Sequence, residues 1–171
     1  MNMLFALLLA GATVAWSADA PVANTTPVDL EGPRLGFSFL SSRFVDSMKE
    51  EHNKELNPLI TQFGWQIEKR FFTMSDGATG ISEWVLLVGG FEQGLFVPSV
   101  SWLMGMRSGT GLEFGMGPNL SASGSSIVLA MGVTLRSEEI NFPLNIAVAA
   151  SDKGPRYSLL FGFNLRESGP R

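Results

Sequence analysis

The chain has 171 residues, of which 45% are hydrophobic and only 16% are charged, and its formal net charge is -4. Average soluble domains carry roughly 25% charged residues, and the acidic balance argues against a nucleic-acid partner, which would need a basic surface. The sequence contains no cysteine, which excludes disulfides, thiolate metal sites, a cysteine nucleophile and a lipidated N-terminal cysteine.

The N-terminal segment carries an apolar run over residues 3–16. This run is shorter than the roughly 20 residues that a membrane-spanning helix needs, and it matches the apolar core of a signal peptide. The small residues that follow place cleavage after Ser17 or after Ala20, so residues 1–17 are the predicted signal. A retained apolar anchor is the open alternative. Residues 18–33 have no periodicity and predict a flexible lead-in.

Two different periodicities follow the lead-in. Residues 34–40 alternate large apolar with small side chains, which predicts a first strand. Residues 42–57 instead place apolar side chains on one face of an amphipathic helix, and Pro58 ends it. Such a helix must rest on a partner, which we expect to be the barrel rim, the lumen or a lipid surface.

All later segments have the period of two that is typical of strands. They are predicted over residues 60–73, 81–90, 95–107, 112–121, 127–136, 140–150 and 156–165. Short turns of Gly, Ser and Asp join them in sequence, which indicates an antiparallel meander. A meander of about eight twisted strands removes its edges by closing. The sequence therefore predicts an all-β fold, an up-and-down antiparallel β-barrel of about eight strands over residues 34–166. One short helix lies between the first two strands, and residues 167–171 form a tail.

Three prolines interrupt this pattern, because a proline cannot donate to a strand ladder. Pro98 and Pro143 lie near predicted strand starts and Pro118 lies within a strand. We expect each to mark a strand start or a bulge.

The two strand faces differ in size more than in charge. One face is Phe, Trp, Leu, Ile and Met, and the other is mostly Gly, Ala, Ser and Asn. An eight-stranded barrel is only wide enough for its own side chains, so we expect the large face to meet lipid and the small face to fill the lumen. Candidate interfacial aromatics are Trp65, Trp84, Trp102 and Tyr157. A soluble lipocalin-like barrel that binds an apolar ligand, or a sandwich, is the alternative.

Several charged residues share the small face. They are Glu68, Arg70, Glu83, Arg107, Glu113, Arg136 and Arg156. Buried charges need partners, so we expect a structural Glu–Arg network that fills the lumen and leaves no wide pore.

The end of the chain resembles the C-terminal assembly signal of bacterial outer-membrane barrels. The alternating residues that carry this resemblance are Tyr157, Leu159, Phe161, Phe163 and Leu165. The chain departs from that class in its short turns and in residues 166–171, which follow the last strand. The stretches G-W-Q-I-E-K-R-F-F, G-L-E-F-G-M-G-P-N-L and F-P-L-N-I-A-V are similar to small exported proteins of Gram-negative bacteria. The resemblance implies a bacterial outer-membrane location, with membrane lipid and the assembly machinery as partners.

The sequence offers little catalytic chemistry. Some small outer-membrane barrels modify lipid A with a Ser–His pair, but the one histidine here, His52, lies in the predicted helix among acidic residues. A single histidine without cysteine makes a transition-metal site improbable, and no phosphate-binding glycine loop occurs. We therefore expect a non-enzymatic barrel with no cofactor, in a structural or interaction role. A lipid-modifying enzyme is the weaker alternative, and the oligomeric state stays open.

Overall fold

The computed structural model of the protein describes residues 30–52, 57–122, 124–136 and 140–165, without the side chains of residues 48, 51, 52, 136 and 165. The predicted signal peptide, most of the lead-in and the predicted tail lie outside the described residues.

Eight strands and one helix make up the fold. They are β1 (Gly32–Leu40), α1 (Ser42–His52), β2 (Leu59–Thr73), β3 (Thr79–Gly89), β4 (Val97–Arg107), β5 (Leu112–Ser121), β6 (Gly124–Arg136), β7 (Ile140–Ala150) and β8 (Arg156–Gly162). A short 3-10 turn, Phe91–Gln93, joins β3 to β4. A two-residue strand, Asn164–Leu165, follows β8 and pairs with β7.

The eight strands form a closed antiparallel barrel in up-and-down order. Each strand pairs with its neighbour in sequence, and β1 closes the ring by pairing with β8 from Arg34 opposite Gly162 to Leu40 opposite Arg156. This confirms the predicted fold, including the short helix between the first two strands and the pairing of the last strand with the first.

The alternation of large and small residues becomes a separation between outside and inside. Large apolar residues of β1 such as Phe37 and Phe39 are exposed, whereas Ser38 between them is buried.

Interior glycines allow the wall to curve tightly. A Cβ atom on Gly64 would come within 1.8 Å of the Leu86 carbonyl oxygen, and one on Gly36 within 2.0 Å of that of Leu159. Only glycine permits this close backbone approach.

Helix α1 caps one end of the barrel. Its Phe44 is buried against Leu40 and Ile60, the inward residues at the end of β1 and the start of β2, and Val45 and Leu95 pack on this cluster. The structure thus places the helix at the rim, one of the three positions open from the sequence.

The prolines lie where pairing is weak. Pro98 is the second residue of β4. Pro118 lies in a stretch of β5 that does not pair with β4, between Asn119 opposite Ser101 and Met116 opposite Met104. Pro143 lies where β7 passes from pairing with residues 164–165 to pairing with β8. The missing N–H groups therefore fall beside existing gaps in the ladder.

The cap contact can be tested by truncation of Phe44. Phe44→Ala is expected to lower the free energy of unfolding by about 3–5 kcal/mol, because it removes a fully buried aromatic side chain. It should also expose α1 to limited proteolysis. Asp46→Ala, at an exposed position of the same helix, is the control and should change neither readout. Equal stability of the two variants would contradict the cap.

Candidate functional site

The lumen contains buried charged side chains of the described residues. Six charged residues inside it are less than a tenth exposed, namely Arg34, Glu68, Glu83, Arg107, Glu113 and Arg156. They come from six different strands, β1, β2, β3, β4, β5 and β8. Burial makes an unpaired charge costly, so their contacts decide whether the lumen is a structural filling or a reactive site.

Arg107 lies between two carboxylates. Its Nη1 donates to Glu68 Oε1 at 2.8 Å and its Nη2 donates to Glu68 Oε2, which forms a bidentate pair. Its Nε donates to Glu113 Oε1 at 3.0 Å, and Thr134 Oγ1 donates to the same oxygen at 2.7 Å. Strand register explains the geometry, since Arg107 and Glu113 are directly opposite on β4 and β5. Bidentate Arg–carboxylate pairs are among the strong hydrogen bonds, so this group ties four strands across the lumen.

Arg34 is the second anchor and was absent from the predicted network. It is only 1% exposed. Its Nε donates to Gln66 Oε1 at 2.9 Å, and Gln66 in turn donates to Glu83 Oε1 at 2.5 Å. Its Nη2 donates to the Leu30 carbonyl oxygen at 2.6 Å. The sequence could have identified Arg34 as inward. Inward and outward residues alternate along the first strand, and Arg34 is two residues before Gly36 and four before Ser38, which both point inward.

Arg156 lies among neutral groups. Its Nη2 donates to Ser99 Oγ at 3.3 Å and to Asn119 Oδ1 at 3.2 Å. Asn119 Nδ2 donates onward to Ser99 Oγ at 2.7 Å and to Ser101 Oγ at 2.8 Å. Among the described residues, no carboxylate forms an ion pair with this guanidinium. The predicted Glu–Arg pairing therefore does not extend to Arg156.

Two other predicted network residues are not placed in the lumen. Arg70 is exposed, because β2 runs past the ring at this point and all of residues 69–73 are exposed. The register of β2 and β3 also shifts between Arg70 and Phe72. This corrects the prediction that Arg70 faces inward. The side chain of Arg136 lies outside the described residues.

The lumen is closed at both ends by apolar residues. Leu30, just before β1, is 0% exposed, and the cluster of Leu40, Phe44 and Ile60 lies at the other end. Between them, inward residues such as Val85, Leu103 and Leu160 form an apolar middle. A cavity in the lumen has about 50 Å³, far below the roughly 300 Å³ at which ligand pockets begin.

The turn beside α1 is fixed to the barrel rim. Glu92 accepts hydrogen bonds from the backbone N–H and the hydroxyl of Thr61. Desolvation raises the pKa of the Glu92 carboxyl, but the hydrogen bonds together outweigh it, so the pKa lies below its usual value. The neighbouring Gln93 donates to the Leu59 carbonyl oxygen at 3.0 Å. The rim is therefore ordered by side-chain contacts and is not an open mouth.

Of the aromatic residues that the sequence marked as interfacial, Tyr157 lies at the start of β8, whereas Trp65, Trp84 and Trp102 lie within their strands. Trp84 and Trp102 are directly opposite each other in the middle of β3 and β4, and their rings stack with centroids 6.0 Å apart. Trp102 Nε1 donates to Ser82 Oγ at 2.8 Å. Phenylalanines such as Phe71 and Phe96 occupy the exposed strand ends instead.

The residues of the predicted assembly signal share the outer face. Tyr157, Leu159, Phe161 and Phe163 are all exposed. The side chain of Leu165 lies outside the described residues, although its backbone pairs with Ile140.

The carboxylates of Glu68 and Glu113 share one arginine. Among the described side chains, no group of three His, Cys, Asp or Glu residues is placed to hold a metal ion. The side chain of His52 lies outside the described residues.

Comparisons with family models, with curated proteins and with solved structures return no match for this chain. Within the described residues, no helix is long and apolar enough to cross a membrane.

The lumenal network can be tested at Arg107. Arg107→Gln should lower the free energy of unfolding by about 3–5 kcal/mol, because it leaves the two buried carboxylates without their cation. Arg70→Gln makes the same chemical change at an exposed position of β2 and should cost at most about 1 kcal/mol. Denaturant titration of both variants measures the difference, and similar losses would argue against the lumenal network.

Proposed function

We propose that this protein is an integral outer-membrane β-barrel of a Gram-negative bacterium. Its side-chain-filled lumen suits a structural or interaction role and neither transport nor catalysis. The observation that carries this proposal is the outer face of the closed barrel, where every strand exposes large apolar side chains, while six charged residues are buried inside.

The outward residues of all eight strands support a lipid environment. One or two exposed apolar side chains from each strand in turn are Phe37, Phe63, Trp65, Trp84, Leu86, Val100, Trp102, Phe114, Met116, Leu129, Met131, Ile146, Val148, Leu159 and Phe161. Soluble monomers rarely expose a contiguous apolar patch of more than about 300–600 Å². A belt that encircles the barrel exceeds such a patch, and lipid is a solvent that would cover it.

The placement of charge supports the same environment. In β1, β3, β4, β5 and β8 every charged residue is buried inside the barrel. A soluble barrel gains solubility from charges on its outside, whereas a charge on a lipid-facing strand is destabilising. These five strands therefore have the charge placement expected in lipid, and in β2 the exposed charges Lys69 and Arg70 lie towards the end of the strand.

The closed strand pairing also supports a bilayer environment. Closure pairs β1 with β8 and so leaves no open edge strand, which is the condition for a sheet in hydrocarbon. On the outer face, the indole N–H of Trp102 is bonded to Ser82, so these two polar groups satisfy each other at mid-strand without water.

The closed lumen argues for a role without a pore. Leu30 and the cap around Phe44 close the two ends, and the Arg107 and Arg34 groups cross the interior. A soluble ligand-binding barrel would need an internal pocket, and the cavity of about 50 Å³ is too small for an apolar ligand. The partners that we propose are membrane lipid and the outer-membrane assembly machinery, which would recognise the outward residues Tyr157 to Phe163 of the closing strand.

Cell fractionation tests the location. We expect the protein in the outer-membrane fraction and a heat-dependent mobility shift in SDS gels, because a folded closed barrel resists SDS until it is heated. Recovery in the soluble periplasmic fraction without detergent would overturn the proposal and favour the soluble barrel.

A pair of substitutions on β6 tests whether the outer face meets lipid. Leu129 lies in the middle of β6 and Leu135 lies near its end, and both are exposed, at 49% and 60%. Arginine on a lipid face costs about 2–4 kcal/mol at the bilayer midplane and about 0–1 kcal/mol near the interface. Leu129→Arg should therefore reduce the free energy of unfolding in lipid vesicles far more than Leu135→Arg.

The same pair of substitutions also tests the alternative of a soluble barrel. On a water-facing surface both substitutions would fall within about 0.5 kcal/mol of the parent. Small and equal effects at the two positions would thus count against a membrane-embedded barrel.

A further inference from the structure

The half of the lumen next to helix α1 contains a buried cation without an anion. Arg156 is 6% exposed, and arginine stays protonated in proteins. Its Nη2 reaches only the neutral Ser99 and Asn119, and its Nε is buried with no hydrogen-bond partner among the described residues. An isolated buried charge is one of the most costly groups in a fold, so this geometry calls for a compensating ligand.

The cavity of about 50 Å³ lies beside this guanidinium. Arg156 lines it together with Gln62, Asn145 and Ser158. The Nε2 donor of Gln62 is also buried and unpartnered. Its direction is fixed, because Gln62 Oε1 already accepts a hydrogen bond from Ser38 Oγ, which also contacts Ser158 Oγ at 2.6 Å. Two unused donors, one of them cationic, therefore border the same small space.

The carboxylates of the lumen are engaged elsewhere. Glu68 and Glu113 are bonded to Arg107. Glu83 also lines the cavity, and its Oε1 accepts from Gln66, which is itself bonded to Arg34. The three glutamates thus lie with two arginines in the half of the lumen towards Leu30. The lumen is balanced in total, but its positive charge at Arg156 has no anion in contact.

We propose that this cavity binds a small monovalent anion, with chloride as the physiological species, held by Arg156 Nε and Gln62 Nε2. A single water needs about 10–15 Å³ of such space, so the cavity has room for one halide ion and an accompanying water. The unpartnered Asn145 Oδ1 requires a donor, which this water supplies. The site does not depend on whether the outer face meets lipid.

Halide titration of the folded protein tests the site. The protein purified from cells, in detergent if its extraction requires it, is unfolded thermally over a range of chloride concentrations, with gluconate holding the ionic strength constant because it is too large to enter. The midpoint should rise by several degrees with the logarithm of chloride concentration, as it does for any ligand that binds only the folded state. Crystals grown with bromide should show an anomalous peak between Arg156 and Gln62.

Two variants separate this site from a general salt effect. Arg156→Gln should abolish the chloride dependence, although its loss of packing and hydrogen bonds can also impair folding. Gln62→Glu keeps the size of the side chain and supplies a fixed carboxylate beside Arg156, so it should fold, unfold at a midpoint no lower than that of the parent, and lose the chloride dependence. A parent midpoint that is independent of chloride, or a bromide-free cavity that holds only water, would overturn the proposal. An unchanged chloride dependence in Gln62→Glu would do the same.

Discussion

The narrow interior of a closed eight-stranded ring governs the rest of this structure. A ring of this size holds little more than its own inward side chains, so each inward side chain must be small, pack in the apolar middle, or pair with a neighbour across the lumen. The wall is close enough at Gly64 that even a Cβ atom would strike the carbonyl oxygen of Leu86. Val85, Leu103 and Leu160 fill the middle of the lumen, and the period of two leaves the aromatic side chains of the strands exposed on the outer face.

The same constraint explains the buried charges. Long charged side chains enter the lumen only where a partner on another strand meets them, as Glu68 and Glu113 meet Arg107. Such pairs contribute little net free energy, because their attraction is offset by desolvation. We infer that they act mainly through specificity, since a shift of one strand's register by one residue would turn the network member on that strand towards the outer face.

Most of the fold could be predicted from the sequence because the period of two is unbroken over most strands. The closure of β1 on β8 followed from the absence of any other partner for two long edge strands. The site was predictable only in part. Parity marked Glu68, Arg107 and Glu113 as inward, but it could not show that Arg107 binds both glutamates while Arg156 meets only Ser99 and Asn119, because these contacts depend on the stagger between strands.

The positions of Arg70 and of the tryptophans also depend on how the strands are staggered. The alternation along β2 places Arg70 on the inward face, but Arg70 lies where β2 extends past the ring. The alternation of a strand does not show where the lumen ends. The tryptophans were named as candidate interfacial aromatics. Trp102 instead lies in the middle of β4, where Ser82 provides its hydrogen-bond acceptor, a cross-strand contact that needs the register to be known.

Fluorescence quenching of Trp102 by brominated lipids tests most directly whether the apolar belt faces a bilayer. In a Trp65→Phe, Trp84→Phe variant, with residues 1–17 removed as in the predicted mature chain, Trp102 is the remaining indole. A belt that faces lipid predicts strong quenching by lipids brominated deep in the acyl chain, weaker quenching by those brominated near the headgroup, and protection from aqueous iodide. Quenching by iodide but by neither lipid, in a folded barrel, would contradict a membrane-embedded barrel.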